Sequence, residues 1–200
     1  MLPWCFELSS IRHVRAKVVV LGDAAVGKTT LIRTYLGGKP LAEVSYKPTI
    51  GVDVYKKEDI YNIEPYGKIK AIWDIWDMAG AKPFREISGI FLKGAMCGIV
   101  MFDLSREQTL ISVPEWIDTF IKSVGKKPII LVGNKADLCE KGVECVSHGK
   151  RREYAERVSE TFGFRVPYIE TSALYNINVR ETFEKLVTEL IKQYLSKERK

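Results

Sequence analysis

A glycine-rich stretch near the N-terminus has the residues and the spacing that bind phosphate. Residues 22–29 read GDAAVGKT, which fits the pattern GxxxxGK[ST] between a strand-like run and a helical stretch. Glycines let backbone N–H groups wrap a phosphate, and the following helix adds a positive dipole. Lys28 supplies charge to the β- and γ-phosphates, and the Thr29 hydroxyl is a ligand for Mg²⁺. The pattern predicts six consecutive nucleotide-binding residues: Ala25, Val26, Gly27, Lys28, Thr29 and Thr30.

Two later segments carry oxygen donors that suit the same ion. The glycine-rich stretch alone indicates only a nucleoside triphosphate, because kinases, transporters and motor ATPases share it. Thr49, in YKPTIGVD, lies in a polar stretch where its hydroxyl can join the Mg²⁺ shell and its N–H can reach the γ-phosphate. Asp77, in WDMAG, follows a β-type run and can hold the ion through water. Thr29, Thr49 and Asp77 are therefore the predicted metal ligands, and Gly80 ends a loop suited to close approach to a charged ligand.

A third pair of segments has the chemistry to read a guanine base. Asn134, Lys135 and Asp137 form NKAD after the apolar run IILVG. A carboxylate there can accept from guanine N1–H and the 2-amino group, whereas adenine would leave it unpaired at a cost of about 2–3 kcal/mol. Asn134 can tie this loop to the phosphate loop, and the Lys135 stem can cover the ring. The turn of residues 171–173, TSA, offers a backbone N–H to guanine O6.

The elements that position these residues alternate between short β-rich runs and helical stretches. Strands are predicted at residues 16–21, 52–63, 68–77, 97–102 and 129–132, and VPYIE, at residues 166–170, is strand-like. Residues 52–63 and 68–77 flank Pro65 and Gly67 as a predicted antiparallel hairpin. Helices are predicted at residues 28–36, 113–123, 149–162 and 179–195, the last from an i, i+3/i+4 apolar stripe.

This alternation predicts an α/β fold with an open, mostly parallel sheet covered by helices on both faces. Ligands of such sheets bind beyond the carboxyl ends of the strands, where the candidate residues fall. A chain of 200 residues favours one large domain over two small ones. We expect an N-terminal extension at residues 1–14, the domain at 15–195 and a short basic tail at 196–200.

Composition excludes several other classes of protein. With 46% hydrophobic and 28% charged residues, the chain is an ordinary globular protein, and no apolar run approaches the roughly 20 residues of a membrane span. The start of the chain does not have the pattern of a signal peptide, so we expect a cytoplasmic protein. The net charge of +6 is scattered rather than massed, which argues against a nucleic-acid partner. The four cysteines match no metal or redox spacing, so reduced thiols are expected.

Taken together, the motifs resemble those of the Ras superfamily of small GTPases, most closely its Rab-like branch. The resemblance covers about residues 14–195 and rests on GDAAVGKT, YKPTIGVD, WDMAG, NKAD and ETSAL in family order. It implies a six-stranded P-loop G domain, GTP/GDP and Mg²⁺ as ligands, and a monomer that works with an effector protein, an exchange factor and an activating protein. It also implies two switch segments, in which Thr49 and the Gly80 N–H contact the γ-phosphate and act with Lys28 in hydrolysis. The base contacts it implies include Asn134, Lys135, Asp137, Ser172, Ala173 and Leu174.

Several positions depart from the family pattern. Ala81 stands where the family has a glutamine that orients the attacking water. Ala24 places a methyl where an arginine or a water would approach the γ-phosphate, and Ala42 lies where an aromatic residue usually packs on guanine. Trp76 matches an effector-surface tryptophan of Rab-like proteins, with packing in the hairpin as the alternative. The chain ends SKERK without a prenylation cysteine, so no lipid anchor is expected and the basic tail suits at most weak membrane contact.

These departures leave two functions to compare. The first is a molecular switch that hydrolyses GTP slowly, with a partner, or a switch side chain such as Arg85 or Glu86, replacing the glutamine; for those two side chains an exposed surface is the alternative. The second is a GTP-binding module or scaffold without significant hydrolysis, which Ala24 and Ala81 together favour. A different P-loop enzyme, such as a nucleotide kinase, fits poorly with the base-reading segments.

Overall fold

The computed structural model describes residues 11–37, 49–81 and 89–198. Within them are six strands: β1 (Ile11–Gly22), β2 (Val52–Ile63), β3 (Gly67–Met78), β4 (Cys97–Asp103), β5 (Ile129–Asn134) and β6 (Tyr168–Thr171). The helices are α1 (Lys28–Tyr35), α2 (Gly89–Leu92), α3 (Glu107–Ile111), α4 (Val113–Val124), α5 (Ala136–Glu140), α6 (His148–Phe162) and α7 (Val179–Glu198). Three residues singled out in the sequence, Ala42, Arg85 and Glu86, lie outside these ranges, as do residues 1–10 of the expected N-terminal extension and residues 199–200 of the tail.

The strands form one sheet in the order β2-β3-β1-β4-β5-β6. Only the pair β2–β3 is antiparallel, and the other neighbours are parallel. The predicted hairpin is confirmed, since Val52 pairs with Met78 at one end and Ile63 with Gly67 at the other. A six-stranded, mostly parallel sheet is therefore confirmed as the fold class.

Helices cover both faces of the sheet, as the strand pattern predicts. Successive residues of β1 show why the sequence VVVL is continuously apolar: Val18 and Val20 join one buried cluster, while Val19 and Leu21 join the other. The first cluster includes residues of α1 and α7, and the second includes residues of α4 and α6. Alternate side chains of a strand point to opposite faces, so a strand covered on both sides has no polar face.

The elements differ from the sequence-based prediction in two main respects. The strand β1 begins at Ile11, which pairs with Lys68, whereas the strand was predicted to begin at residue 16. Three helices of four or five residues, α2, α3 and α5, were not predicted. Segments this short contain too few residues to show a helical apolar period.

The expectation of reduced thiols is wrong for two of the four cysteines. Cys139 and Cys145 form a disulfide, with their Cα atoms 5.7 Å apart. Cys139 lies in α5, and the chain turns back through Gly142, whose φ is 83°, so residues six apart in sequence meet. Cys97 is a free, buried thiol whose pKa is raised by burial. Among the described helices, none is long and apolar enough to cross a membrane.

Candidate functional site

The predicted site residues meet at the carboxyl edge of the sheet. The phosphate loop follows β1, Asp77 lies near the end of β3, Asn134 ends β5, and the turn of residues 171–173 begins at the end of β6. Parallel strands place these ends on one edge, which is where an open α/β sheet binds its ligands. The geometry therefore brings the predicted phosphate, metal and base residues to one place.

Lys28 is held inside the phosphate loop. Its Nζ donates to the carbonyl oxygens of Gly22 and Asp23, both at 2.8 Å. Burial lowers the pKa of Lys28 to about 8, while the carboxylates of Asp77 and Asp23 oppose that shift. A buried ammonium that is bonded only to neutral carbonyls is suited to an added anion such as a phosphate.

Two glycines permit the close contacts of this loop. Gly27 precedes α1 with φ of 100°, and a Cβ there would lie 2.2 Å from the Asn134 Nδ2. A Cβ on Gly80 would lie 2.5 Å from both the Asp23 carbonyl and the Lys28 Nζ. Gly80 therefore packs its backbone directly against the phosphate loop, and Ala81, the next residue, is exposed.

The three predicted metal ligands form one oxygen cluster. The Thr29 Oγ1 donates to the Asp77 Oδ2 at 2.5 Å and lies 2.9 Å from the Thr49 Oγ1. Because the single hydroxyl proton of Thr29 goes to Asp77, Thr49 is the donor of the second bond. Asp77 is fully buried, and burial is the largest cause of its raised pKa.

This cluster fits a magnesium ion in its donor chemistry. The Asp77 Oδ1 is buried and accepts no hydrogen bond within the part of the chain that the structure describes. A carboxylate and two hydroxyls are the hard oxygen ligands that Mg²⁺ prefers. The same described ranges contain no group of three His, Cys, Asp or Glu side chains that could hold a metal, so hydroxyls and ligand oxygens would have to complete the shell.

A cavity of about 270 Å³ lies beside the phosphate loop, at the predicted base-reading segments. Its lining residues are Gly27, Thr30, Asn134, Lys135, Asp137, Leu138, Ala173 and Leu174. Of these, the sequence did not single out Leu138, whose only signal is its position next to NKAD. The volume is of the size that a purine ring can enter, and most of the lining surface is apolar, as in ligand pockets generally.

Asn134 joins the three loops around this cavity. Its Nδ2 donates to the Val26 carbonyl at 2.8 Å, which ties β5 to the phosphate loop as predicted. Its Oδ1 accepts from the Thr171 hydroxyl at 2.9 Å and from the Ala173 N–H at 3.0 Å. The Ala173 N–H is therefore engaged. The N–H of Leu174, the next residue, makes no hydrogen bond within the described residues.

Asp137 is fixed at the wall of the cavity with one carboxylate oxygen engaged. The Ser172 hydroxyl donates to its Oδ1 at 2.6 Å, and Asp137 is only 5% exposed. Lys135, at φ of 69°, directs its Nζ to the Asp103 Oδ2 at 2.7 Å. The Lys135 stem therefore lines the cavity while its charge is neutralised elsewhere.

Asp103 and Arg106 are polar residues at this edge that sequence motifs missed. Asp103 ends β4 with a side chain 1% exposed, and it accepts from the backbone and hydroxyl of Ser105. Its Oδ2 accepts from the Arg106 Nε at 2.8 Å as well as from Lys135. Although burial opposes it, these hydrogen bonds hold the pKa of Asp103 below its usual value. A carboxylate directly after an apolar strand was the only signal in the sequence.

The two hairpin tryptophans have different surroundings. Trp73 is fully buried in the cluster shared with α1 and α7, so it packs in the core. Trp76 is half-buried, and the Lys17 Nζ lies 3.5 Å from the centre of its ring, a cation–π contact.

Comparisons with known proteins agree with these features. Residues 17–192 match the Ras family. The chain is 30% identical to the Ypt/Rab-type GTPase ypt7 of Pyricularia oryzae over 196 residues, which is 96% of this chain and 89% of that protein. It is 34% identical to Ras-related protein Rab-27B of Bos taurus over 184 residues, or 88% of this chain and 80% of that protein. The same identity over 184 residues holds for the GTP-binding protein YPTC5 of Chlamydomonas reinhardtii, with 88% and 82% covered. The chain therefore belongs to the Ras family and is a Rab-like small GTPase.

Proposed function

We propose that this protein is a guanine-nucleotide-binding molecular switch that hydrolyses bound GTP slowly. The observation that carries the proposal is the meeting of three features at one sheet edge. They are the buried Lys28 ammonium, the oxygen cluster around Asp77 and the cavity walled by Asp137. A phosphate chain, its metal ion and a base require those features side by side.

Guanine is the proposed base because of the hydrogen bonds that Asp137 can accept. Ser172 engages Oδ1, and the carboxylate is buried, so it needs donors from the ligand edge. Guanine presents N1–H and an amino group, whereas adenine presents an acceptor and would leave the carboxylate unpaired, at a cost of about 2–3 kcal/mol. The Leu174 N–H is the proposed donor to guanine O6.

Slow hydrolysis follows from what remains and what is missing near the γ-phosphate. Lys28, Thr49 and the Gly80 N–H are the proposed residues that stabilise charge there, with Thr29, Thr49 and Asp77 holding Mg²⁺, which supplies further charge neutralisation when bound. Ala81 has a methyl, which cannot accept or donate a hydrogen bond to orient water. The groups proposed to stabilise charge are thus retained, whereas residue 81 itself supplies no side chain that could position water.

The switch itself is proposed for the segments around Thr49 and Gly80. Both contact the phosphate and metal residues, Thr49 through Thr29 and Gly80 through Lys28. Loss of the γ-phosphate would remove ligand contacts from both segments and change the surface that an effector protein reads. Family membership supports regulators and effectors in general, and we propose an exchange factor and an activating protein among them. We further propose a monomeric, cytoplasmic protein whose small GTPase domain includes residues 15–195.

The test is single-turnover hydrolysis of bound GTP with Mg²⁺ by the wild type, Ala81→Gln and Lys28→Ala. We expect wild type to release phosphate slowly but above the Lys28→Ala background. Ala81→Gln should be faster by roughly tenfold or more, because a positioned hydrogen-bonding group contributes on that scale or above. Protein-free GTP gives the chemical baseline.

A GTP-binding module without significant hydrolysis is the second candidate, favoured by alanine at both positions 24 and 81, which the family resemblance implies lie near the γ-phosphate. Under this alternative wild type and Lys28→Ala would release phosphate at the same rate, while wild type would still bind GTP in preference to ATP. Equal displacement of bound GTP by ATP would instead contradict guanine recognition by Asp137.

A further inference from the structure

We propose that Arg106 is a positioning residue for the phosphate loop: it holds the peptide between Ala24 and Ala25 so that the Ala25 N–H faces the nucleotide phosphates. This inference rests on the proposed function, since it concerns the same nucleotide site. Arg106 lies directly before α3, and its Nη2 donates to the Ala24 carbonyl at 3.0 Å, across 82 residues of sequence. No motif in the sequence connects it to that loop.

The guanidinium is itself fixed in place. Its Nε donates to the buried Asp103 Oδ2 at 2.8 Å while its Nη2 donates to the Ala24 carbonyl. Two nitrogens of the planar group are therefore engaged at once. The main chain of Arg106 is held too, because its N–H donates to the Asp103 carbonyl and its own carbonyl accepts from the Thr109 hydroxyl at 2.7 Å. An arginine with a rigid fork and a fixed backbone can act as a geometric clamp.

The geometry of the peptide bond transmits this hold to the ligand side of the loop. The peptide between Ala24 and Ala25 is trans, so its C=O and N–H point in opposite directions. With the carbonyl directed to Arg106, the Ala25 N–H points away from Arg106. A charged donor on the carbonyl also polarises the peptide and makes its N–H a stronger donor.

The loop needs such a hold because Ala25 is in a disfavoured conformation. Its φ is 60°, in the left-handed region that an alanine rarely adopts. Glycine would adopt this conformation without strain. A second side chain supports the neighbouring residue, since the Trp116 Nε1 donates to the Asp23 Oδ1 at 2.9 Å.

The Arg106 side chain also connects the phosphate loop to the base cavity. Through Asp103 the clamp is joined to Lys135 of the base cavity, whose Nζ shares the Oδ2 with Arg106. The base and phosphate loops are therefore linked by one buried carboxylate.

The test measures the release of fluorescent N-methylanthraniloyl-GDP from the full-length protein into excess unlabelled GDP, with Mg²⁺ present. We expect Arg106→Gln to release the nucleotide about tenfold faster or more, because the lost bonds are charge-assisted. Arg157→Gln is the matched control: Arg157 is an exposed arginine whose contact to Glu153 is 3.8 Å long, so its release should equal that of wild type.

A rescue experiment separates positioning from a general structural role. Adding Ala25→Gly to Arg106→Gln removes the backbone strain at residue 25. The logarithm of the GDP release rate should then return at least halfway to the wild-type value. Arg106→Lys keeps the charge but lacks the planar guanidinium, so its rate of GDP release should lie between those of wild type and Arg106→Gln. If Arg106→Gln does not fold, Arg106→Lys is the variant that tests the inference.

Two outcomes would overturn the inference while the proposed function stands. One is tight GDP binding by wild type with release from the Arg106 variants within about twofold of it. The other is a double variant that releases GDP no more slowly than Arg106→Gln alone. Failure of wild type to retain GDP would contradict the proposed function itself.

Discussion

At the scale of single residues, Asp77 illustrates how a site differs from a core. Its Oδ1 is buried and accepts no hydrogen bond within the described ranges, and burial raises its pKa. An unpaired buried acceptor costs about 1–3 kcal/mol, so it persists only where something else compensates. A magnesium ion shared with the hydroxyls of Thr29 and Thr49 would do so, which agrees with the roles proposed for these residues.

Site residues that belong to a motif of fixed spacing could be predicted from the sequence, whereas site residues outside any motif could not. Lys28 and Asp137 stand in patterns whose chemistry follows from the order of the residues. In the structure Lys28 bonds to the phosphate loop and Asp137 lines the cavity. Asp103 and Arg106 belong to no pattern, because a carboxylate three residues before an arginine is common on protein surfaces. Only the burial of Asp103 and the contact of Arg106 with Ala24 distinguish them.

Asp137→Asn is expected to reduce the preference for GTP over ATP. The substitution replaces a carboxylate oxygen by a donor, so guanine loses an acceptor, and the preference should fall by about 30-fold or more. Competition of GTP and ATP against fluorescent GDP measures the ratio. Asp118→Asn is the control, because Asp118 pairs with Lys122 on the surface of α4. An unchanged ratio in Asp137→Asn would contradict the base contact.

Asp103→Asn is expected to destabilise the protein at neutral pH by about 2 kcal/mol, since it weakens hydrogen bonds to a charged group. The pKa of Asp103 is lowered in the folded protein, so its contribution is present above the ordinary value of 3.8 and is lost as the pH falls through the lower folded value. Urea unfolding of wild type and Asp103→Asn from pH 7 downwards should show the difference between their free energies of unfolding narrowing below pH 4. A difference that stays constant in that range would show that Asp103 does not act through its charge.

At the scale of elements, apolar periodicity determined what could be predicted. The stripe in α7, the continuous apolar run of β1 and the extended runs of β2 and β3 were each long enough to recognise, and each of these elements formed. The short helices α2, α3 and α5 lack a full period, so only tertiary contacts could define them. The disulfide of Cys139 with Cys145 likewise depends on the turn after α5, and sequence spacing does not encode that turn.

Phe183→Ala is expected to cost about 3–5 kcal/mol of the free energy of unfolding, because a large cavity would open between α7 and the sheet. Phe183 is fully buried, stacks on Tyr35 with ring centres 3.6 Å apart and lies 6.0 Å from Trp73. Lys185→Ala, on the exposed side of the same helix, should change stability by less than about 0.5 kcal/mol. Urea unfolding measures both, and equal effects would show that α7 is not anchored by its stripe.

At the scale of the whole molecule, the site exists only because distant segments meet at one edge. The sequence predicted strands and their ligand-binding loops, but periodicity within a strand carries no information about its neighbours. The order β2-β3-β1-β4-β5-β6 is what places Asn134 of β5 beside Val26 of the loop after β1, 108 residues away. Local alternation predicted an open, mostly parallel sheet, and the resemblance to a known family added that the sheet has six strands.

Nucleotide binding should therefore stabilise the entire domain, and its selectivity should appear in thermal unfolding. GDP with Mg²⁺ at 100 times its Kd contributes about 2.7 kcal/mol, or a rise in Tm of roughly 5–10 °C for a domain of this size. The same concentration of ATP should give a much smaller rise, and EDTA should lower the rise with GDP, because the ion neutralises the phosphates. Asp77→Asn should lose the part of the rise that depends on Mg²⁺ and keep the remainder. Equal shifts with GDP and ATP would contradict guanine recognition, and a wild-type shift unaffected by EDTA would contradict the metal site.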